Sequence, residues 1–291
     1  MTGREPVALS WSGGKDSAMA LLALREAGTH DVVGLLTTVT EGYERIAMHG
    51  VRAELLERQA TAIGLRVRQV RLPQSPSNDV YEAVMGEALR ELRDQGVSHV
   101  AFGDLFLADI RAYREAQMAV AGIQPLFPVW HRDTSRFVRE LLDLGFRAVL
   151  VCVDTTLLDS SFAGRMLDEA LLDELPDGVD PCGENGEFHT FVFDGPYFST
   201  PIGFVLGERV TRDGICYQDL VGVLGWVKLP RHRPGDRQAC GANSPSTPAG
   251  RPLRTTPSPA GCGSSMTSGP KSCSCLSAVC RWVTRSASSP S

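Results

Sequence analysis

Apolar runs alternate with segments of helical periodicity through the first half of the chain. Short runs rich in β-branched residues, typical of buried strands, occur at 7–11, 31–39, 66–72, 99–104, 123–130 and 148–155. Between these runs, the spacing of apolar residues predicts helices at 16–27, 52–63, 79–95, 111–121 and 134–144. In the second helix Leu55, Leu56, Gln59 and Ile63 share one face. Alternation of strand and helix predicts an α/β fold with a parallel sheet.

The second half of the chain has a different pattern. Residues 189–198 and 201–220 have the pattern of extended segments broken by Gly-Pro and Asp-Gly turns, which predicts a smaller α+β domain. From Pro230 onward nine of the 18 prolines occur without any glutamate, so this part cannot bury enough apolar surface to order itself. We therefore predict a first domain at 1–128, a second at 129–228 and a disordered tail at 229–291. The abrupt change after Leu229 also fits an out-of-frame reading of the gene.

The net charge of −5 combines an acidic first part with a basic end. From Lys228 onward there are nine of the 29 basic residues and one of the 34 acidic residues. The acidic charge of the remaining residues argues against a nucleic acid partner, since binding to phosphate backbones needs a basic face. Because the chain lacks a long apolar stretch and a signal segment, we expect a cytoplasmic protein with no membrane contact. Before the tail, Cys152, Cys182 and Cys216 show no zinc-type spacing, so we expect reduced structural thiols.

A cluster of small and charged residues, Ser-Gly-Gly-Lys-Asp-Ser at 12–17, lies between the first predicted strand and the first predicted helix. Such a loop lies at the carboxyl end of a parallel sheet, where ligands bind and the first helical amides point outward. Its two glycines permit close approach and unusual backbone angles. Lys15 adds positive charge, and Ser10, Ser12 and Ser17 add hydroxyl donors. The loop therefore predicts a phosphate site.

Two common phosphate patterns do not fit this loop. The Walker pattern fails because Asp16 follows Lys15, and the dinucleotide pattern GxGxxG is absent. The strand, SGGKDS loop and helix instead resemble the N-type ATP pyrophosphatases, the PP-loop family of adenylating enzymes. That resemblance implies a HUP-like parallel sheet with flanking helices, where ATP is cut between its α and β phosphates with Mg²⁺ as the ion. Asp16 is a candidate Mg²⁺ contact, although an acid at a helix N-terminus is equally well explained by the helix dipole.

Two later stretches narrow the family. Gly103 lies at the end of the fourth predicted strand, and Arg111 and Glu115 come one helical turn apart in the next helix. Residues 182–196, CGENGEFHTFVFDGP, place two glutamates between glycines before a strand that ends in Asp and Pro. Together with the SGGKDS loop, these stretches resemble the diphthine-ammonia ligase family over about residues 5–225.

The resemblance and the predicted loop positions give candidate residues in three groups. Candidates for catalysis are Lys15, Asp16, Glu184 and Glu187. Candidates for binding ATP and Mg²⁺, with Asp16 as the metal contact, are Ser10, Ser12, Gly13, Gly14, Lys15, Asp16, Ser17, Gly103 and Asp104. Candidates for substrate binding are His49, Arg111, Glu115, Asn185 and His189. The chain departs from the family pattern at Asn185 and His189, where the family tends to have Gly and Glu.

The function that the resemblance implies is an ATP-dependent amide-forming ligase. A substrate carboxylate, on a small molecule or a protein, attacks the α phosphate and releases pyrophosphate, and ammonia then displaces AMP. The identity of the carboxylate stays open, as does the oligomeric state, for which a homo-oligomer is one option. Two alternatives are a tRNA-modifying PP-loop enzyme of the thiolase or lysidine type, and a non-enzymatic nucleotide sensor with the HUP fold.

Overall fold

The computed structural model describes residues 3–46 and 49–223. The predicted disordered tail at 229–291 therefore lies outside the described residues. The first sheet contains β1 (Glu5–Ser10), β2 (His30–Thr40), β3 (Arg45–Ile46), β4 (Val67–Leu72), β5 (His99–Ala101) and β6 (Gln124–Leu126). Its parallel strands follow the order β4-β2-β1-β5-β6, and the short β3 pairs antiparallel with the end of β2. The predicted parallel α/β sheet is confirmed.

Four helices connect the strands of the first sheet: α1 (Lys15–Ala27), α2 (Ala53–Ile63), α3 (Asn78–Asp94) and α4 (Ala108–Ala121). Their ends follow local chemistry, since Ser77 caps α3 through Val80 N, and α1 ends at Gly28 in the left-handed conformation that glycine accepts readily. Helices α3 and α4 contribute to one apolar cluster with Ala8 of β1. Helices α1 and α2 contribute to the other cluster. The sheet is thus covered on both faces.

The second sheet is antiparallel and contains β7 (Arg147–Asp154), β8 (Met166–Leu167), β9 (Phe188–Asp194), β10 (Phe204–Arg212) and β11 (Ile215–Gly222). Strand β7 pairs with β8, β9 and β11. Helix α5 (Thr134–Asp143) precedes β7, while α6 (Glu169–Asp173) and a 3-10 helix (Ser160–Phe162) follow it. The predicted strand at 148–155 continues the alternation of strand and helix, but the corresponding β7 pairs antiparallel in the second sheet. Alternation along the sequence therefore does not show where the parallel sheet ends.

One apolar cluster joins the two sheets. It includes Val7 and Leu9 of β1, side chains of α1 and α2, and Phe191 and Phe193 of β9. Hydrogen bonds cross the same interface, from the Tyr197 hydroxyl to the Ala18 carbonyl at 2.8 Å and from Ser199 N to the Ala62 carbonyl at 2.8 Å. The two sheets are thus held together by a shared core. The domain boundary near residue 128 stays a prediction.

The three cysteines before the tail lie in the interior of the protein. Cys152, Cys182 and Cys216 are free and buried, as expected for structural thiols. Burial raises the pKa of the Cys152 and Cys182 thiols. None of the helices within residues 3–46 and 49–223 combines the length and the hydropathy needed to span a membrane.

Candidate active site

The loop between β1 and α1 is packed tightly on both sides. Gly13 has φ of +78°, and a Cβ atom there would lie 2.8 Å from Gln59 Oε1 and from Leu56 Cδ1. A Cβ on Gly14 would lie 3.0 Å from the Thr190 carbonyl oxygen. Contacts with α2 and β9 therefore leave little room for a side chain at either glycine. The positive φ of Gly13 is the unusual backbone angle that the sequence predicts, while close approach of a ligand stays a prediction.

Strand β9 of the second sheet holds this loop in place. Val192 N donates to the Gly13 carbonyl at 2.9 Å, and Lys15 N donates to Thr190 Oγ1 at 3.1 Å. A helix N-terminus has amides without intrahelical partners, so the Thr190 hydroxyl stabilises the start of α1. Sequence reasoning missed Thr190, because no local pattern shows which strand lies beside a loop.

Gln59 connects the loop, α2 and β9 from a fully buried position. Its amide nitrogen donates to the carbonyls of Gly13 and Val192, and its oxygen accepts from Trp11 Nε1 at 3.0 Å. Buried polar groups are costly unless they are paired, so this network fixes the loop geometry. A signal was present in the sequence, since Gln59 is a polar residue on the predicted apolar face of its helix.

The serine side chains of the loop also bond within it. Ser17 Oγ donates to the Gly14 carbonyl at 3.0 Å, Ser12 Oγ accepts from Gly14 N at 3.3 Å, and the two hydroxyls lie 3.3 Å apart. Ser10 is half-buried at the end of β1. The structure thus places the hydroxyls of Ser12 and Ser17 within the loop and Ser10 two residues before it, while nucleotide contact stays a prediction for each.

Lys15, Asp16 and Glu184 form the charged centre of the site. The Lys15 side chain is only 3% exposed, and its Nζ lies 2.8 Å from both oxygens of Asp16 and 3.8 Å from Glu184 Oε1. Only Asp16 Oδ2 accepts a hydrogen bond from Nζ, which leaves the buried Oδ1 without a hydrogen-bond partner. The structure therefore brings together residues that lie far apart in the sequence and that come from both sheets.

The pKa values in this centre show an excess of negative charge. Burial, and next the charge of Asp16, raises the pKa of Glu184 to about 8, although Lys15 opposes the shift. Burial also raises the pKa of Asp16. The pKa of Lys15 is raised despite its burial, chiefly because Asp16 stabilises the ammonium. One cation among several buried carboxylates leaves the site suited to a second cation.

The acidic loop that carries Glu184 is held by its own carboxylates. Glu187 is 3% exposed, and its two oxygens accept from Asp180 N and Asn185 N at 3.0 Å. Asp180, which the sequence argument did not select, accepts from Cys182 N at 2.8 Å and Glu184 N at 3.3 Å. Glu184 is thus the glutamate that faces Lys15, whereas Glu187 ties the loop together. A catalytic role of Glu187 stays a prediction.

The two predicted substrate histidines lie side by side. The ring centroids of His49 and His189 are 4.5 Å apart, and His49 Nδ1 is buried without a hydrogen-bond partner. Burial and then Lys15 lower the pKa of His49 to about 4. Burial, His49 and Lys15 lower the pKa of His189 as well. Both imidazoles are therefore neutral near pH 7 and lie within the electrostatic range of Lys15.

The turn after β5 packs against the start of α1. A Cβ on Gly103 would lie 2.7 Å from the Asp16 carbonyl carbon, so a glycine is needed for this close approach. Asp104 lies close enough to raise the pKa of Asp16 and Glu184, and its carboxylate pairs with Arg114 at 2.6 Å. The sequence did not predict Arg114 as a site residue, because a separation of ten residues from Asp104 carries no periodic signal.

Arg111 and Glu115 form a partly exposed ion pair on α4, with Arg111 Nε 2.7 Å from Glu115 Oε1. The guanidinium also lies over two aromatic rings, 4.7 Å from the Phe127 centroid and 4.8 Å from the Trp130 centroid. Aromatic contacts on this arginine restrict its orientation. Substrate binding by this pair stays a prediction.

A glycine- and lysine-bearing loop at the first strand of a parallel α/β sheet, with an acidic loop beside it, defines a protein of the PP-loop ATP pyrophosphatase class. Within this class, the chain belongs to the diphthamide synthase family. The family model described as the diphthamide synthase N-terminal domain matches residues 5–124, and the C-terminal domain model matches residues 133–219. The resemblance found in the sequence is confirmed.

Similar proteins include curated diphthine-ammonia ligases from animals. The protein from Bos taurus is 27% identical over 237 residues, which cover 72% of this chain and 87% of the relative. The Homo sapiens protein is 28% identical over 222 residues, covering 67% and 81%. The Danio rerio protein is 28% identical over 240 residues, covering 75% and 93%. Nearly the whole length of these relatives is therefore matched.

Two solved structures show weaker similarity. A predicted subunit of tRNA methyltransferase from Methanocaldococcus jannaschii is 20% identical, with 50% of this chain and 80% of that chain covered and a TM-score of 0.34. The U34-tRNA thiolase NcsA from Methanococcus maripaludis, solved with its 4Fe-4S cluster, is 18% identical, with 48% and 57% covered and a TM-score of 0.32.

Proposed function

We propose that this chain is an ATP-dependent ligase that adenylates a carboxylate and then joins it to ammonia. Its family places it among enzymes related to the diphthine-ammonia ligases, so ATP use and ligase activity follow from the family. One observation carries the detailed proposal. The side chains of Lys15 and Glu184 are both largely buried beside the β1–α1 loop, and Lys15 Nζ lies 3.8 Å from Glu184 Oε1.

The first step needs a site for the departing pyrophosphate. A carboxylate oxygen of the substrate attacks the α phosphorus, and the bond from that phosphorus to the bridging oxygen of the β phosphate breaks. Lys15 and the N-terminus of α1 stabilise the charge that develops on the pyrophosphate. Because β9 holds the loop through Gly13 and Lys15, these groups are oriented before the nucleotide binds.

The donor set of the site fits a magnesium ion. Asp16 Oδ1 accepts no hydrogen bond, although it lies 2.8 Å from Lys15 Nζ, and Glu184 adds a second carboxylate beside Lys15. Oxygen ligands of this kind are those that Mg²⁺ prefers, with phosphate oxygens completing its coordination. When bound, the ion would neutralise charge on the phosphates. Asp16 would hold it.

The second step needs a deprotonated amine. Ammonia attacks the carbonyl carbon of the acyl adenylate and displaces AMP, which leaves an amide after loss of a proton. Glu184, with a pKa of about 8, is matched to take a proton near neutral pH. The neutral imidazoles of His49 and His189 offer further polar groups without adding charge.

The cysteines favour ligation over sulfur transfer. Thiolation needs a reactive thiolate, whereas burial raises the pKa of both Cys152 and Cys182. A double Cys152→Ser and Cys182→Ser variant should therefore keep its ligase activity if it folds.

Exchange of labelled pyrophosphate into ATP tests the adenylation step. The full chain is incubated with ATP, Mg²⁺ and a carboxylate substrate, first of all a protein that carries diphthine, with ammonia omitted. We expect exchange that depends on the carboxylate, and AMP with amide formation once ammonia is added. Lys15→Gln should lower the exchange rate by about 10²-fold or more, as expected for loss of a group that stabilises developing charge.

A surface variant provides the control. Arg71 pairs with Glu44 on the exposed edge of β4, so Arg71→Gln should exchange pyrophosphate at the normal rate. Circular dichroism verifies that Lys15→Gln remains folded. Release of ADP in place of AMP, or normal exchange by folded Lys15→Gln, would refute the proposal.

A further inference from the structure

A group of two histidines and one glutamate lies at the opposite edge of the first sheet. Glu5, His30 and His99 are the first residues of β1, β2 and β5, which are neighbours in the sheet. Glu5 pairs directly with His30, and His99 pairs with Val7, two positions beyond Glu5. Since side chains two residues apart share a face, the register places all three side chains on one side of the sheet.

The three side chains converge on a small volume. Glu5 Oε2 lies 3.5 Å from His99 Nε2 and 4.0 Å from His30 Nε2, and one ligand atom of each residue lies within 4.8 Å of the others. The imidazole centroids are 4.8 Å apart in an edge arrangement. The side chain of His99 is 7% exposed and that of Glu5 is 65% exposed. The group thus has a buried base and an open side.

A hydroxyl group lies beside the ring nitrogen of His99 that is remote from Glu5. Ser98 Oγ donates to the Pro6 carbonyl at 3.2 Å and lies 2.9 Å from His99 Nδ1. His99 Nε2 is the ring nitrogen that faces the Glu5 carboxylate, at 3.5 Å. A divalent cation between these two groups would be bound by both.

The same orientation holds at His30. Thr29 Oγ1 lies 2.8 Å from His30 Nδ1, which leaves Nε2 directed to Glu5. A hydrogen-bond partner on the remote ring nitrogen orients a histidine that ligates a metal, and the hydroxyl of Thr29 is placed for that role. Both histidines are thus positioned by neighbouring residues that precede them in the chain, Thr29 and Ser98.

We propose that Glu5, His30 and His99 form a binding site for a divalent transition metal of the zinc type. Two imidazole nitrogens and one carboxylate oxygen are a common zinc ligand set, with solvent as the fourth ligand. Imidazole ligands disfavour Mg²⁺ and Ca²⁺, which select oxygen. In tetrahedral zinc coordination the ligand atoms are ~3.3 Å apart. The observed spacing therefore needs a movement of roughly 1 Å, which the exposed Glu5 side chain permits.

This site is separate from the PP-loop. It lies at the amino ends of the parallel strands, whereas the loop at residues 12–17 follows the carboxyl end of β1. The metal would join β2, β1 and β5 at the edge where their pairing begins. Its role is therefore a clip on the first sheet, with no part in the adenylation chemistry.

Cobalt titration of the full chain after chelator dialysis tests the proposal. Co²⁺ at this site should give visible d–d absorption with one ion per chain, without the thiolate charge-transfer bands that the tail cysteines would give. Zn²⁺ should displace it and raise the melting temperature. His30→Ala should abolish this absorption, and Ser98→Ala should weaken metal affinity about 10–100-fold because His99 loses its orienting partner.

His131→Asn is the matched control. His131 is an exposed histidine with φ of +62°, a conformation that asparagine tolerates, so this variant should bind Co²⁺ as the unaltered chain does. Melting without metal verifies that His30→Ala is folded. Equal Co²⁺ binding by folded His30→Ala and the unaltered chain would overturn the proposal, as would nitrogen NMR that shows a proton on His99 Nε2 in the presence of Zn²⁺.

Discussion

Asp219 on β11 joins the second sheet to Arg45 of β3 and to Arg52 at the start of α2. Its carboxylate accepts from Arg45 at 2.7 Å and from Arg52 at 2.7 Å. Arg45 also donates to the Gly50 carbonyl at 2.7 Å, so the same cluster fixes the turn that carries His49. We predict that Asp219→Asn weakens the interface between the sheets and loosens this turn.

The magnitude follows from the pKa of Asp219. Burial opposes ionisation, but hydrogen bonds from Arg52 and Arg45 outweigh it and lower the pKa from 3.8 to about 2. A carboxyl with this change contributes roughly 2.5 kcal/mol to stability at pH 7. Because the folded pKa is depressed, the contribution is present above the unfolded pKa and is lost as the pH falls through about 2. About half of it should remain at pH 3.

Urea unfolding at several pH values measures this contribution. We expect Asp219→Asn to lower the free energy of unfolding by roughly 1–3 kcal/mol at pH 7, since asparagine keeps part of the hydrogen bonding. The difference from the unaltered chain should shrink by about half at pH 3. Glu44→Gln, which removes the exposed partner of Arg71, is the control and should change little. A loss that is independent of pH would refute the electrostatic reasoning.

Two further substitutions test how the loop is held. Gln59→Leu leaves buried polar groups unpaired, so we expect a loss of roughly 2–4 kcal/mol in urea unfolding, whereas Gln69→Leu at a partly exposed position should change little. Gly103→Ala places a methyl group 2.7 Å from the Asp16 backbone, so we expect a lower melting temperature and weaker ATP binding by calorimetry. Gly86→Ala within α3 should instead stabilise slightly. Equal stability of the two glutamine variants, or of the two glycine variants, would contradict these expectations.

Local sequence patterns predicted the first sheet well because its strands and helices follow each other in order. The predicted helix at 16–27 differs from α1 by one residue at its start, and the PP-loop position follows from the strand and helix on either side. The pairing of β7 was harder to predict. Its continuous apolar run is compatible with a parallel or an antiparallel sheet, and only the later β9 and β11 determine which sheet it joins.

The sequence predicted those residues of the candidate site that lie close together in the chain. It did not predict contacts between residues that are far apart in the chain. Lys15 and Asp16 follow from one loop, and Glu184 follows from a second loop through its family resemblance. Contacts such as that of Thr190 with the start of α1 span 175 residues, and no periodicity encodes them. Gln59 could have been found from the sequence. A polar residue on the apolar face of a helix indicates a buried hydrogen-bond partner.

The location of β9 explains why the proposed adenylation would need both sheets. Thr190 binds the first amide of α1, while its neighbour His189 contacts His49, so one strand fixes the loop at residues 12–17 and a polar wall of the candidate site together. The acidic loop that leads into β9 then places Glu184 beside Lys15. Displacement of β9 would separate the cation from the carboxylates and expose both to water. The geometry proposed for adenylation and the stability of the interface between the sheets therefore depend on the same hydrogen bonds.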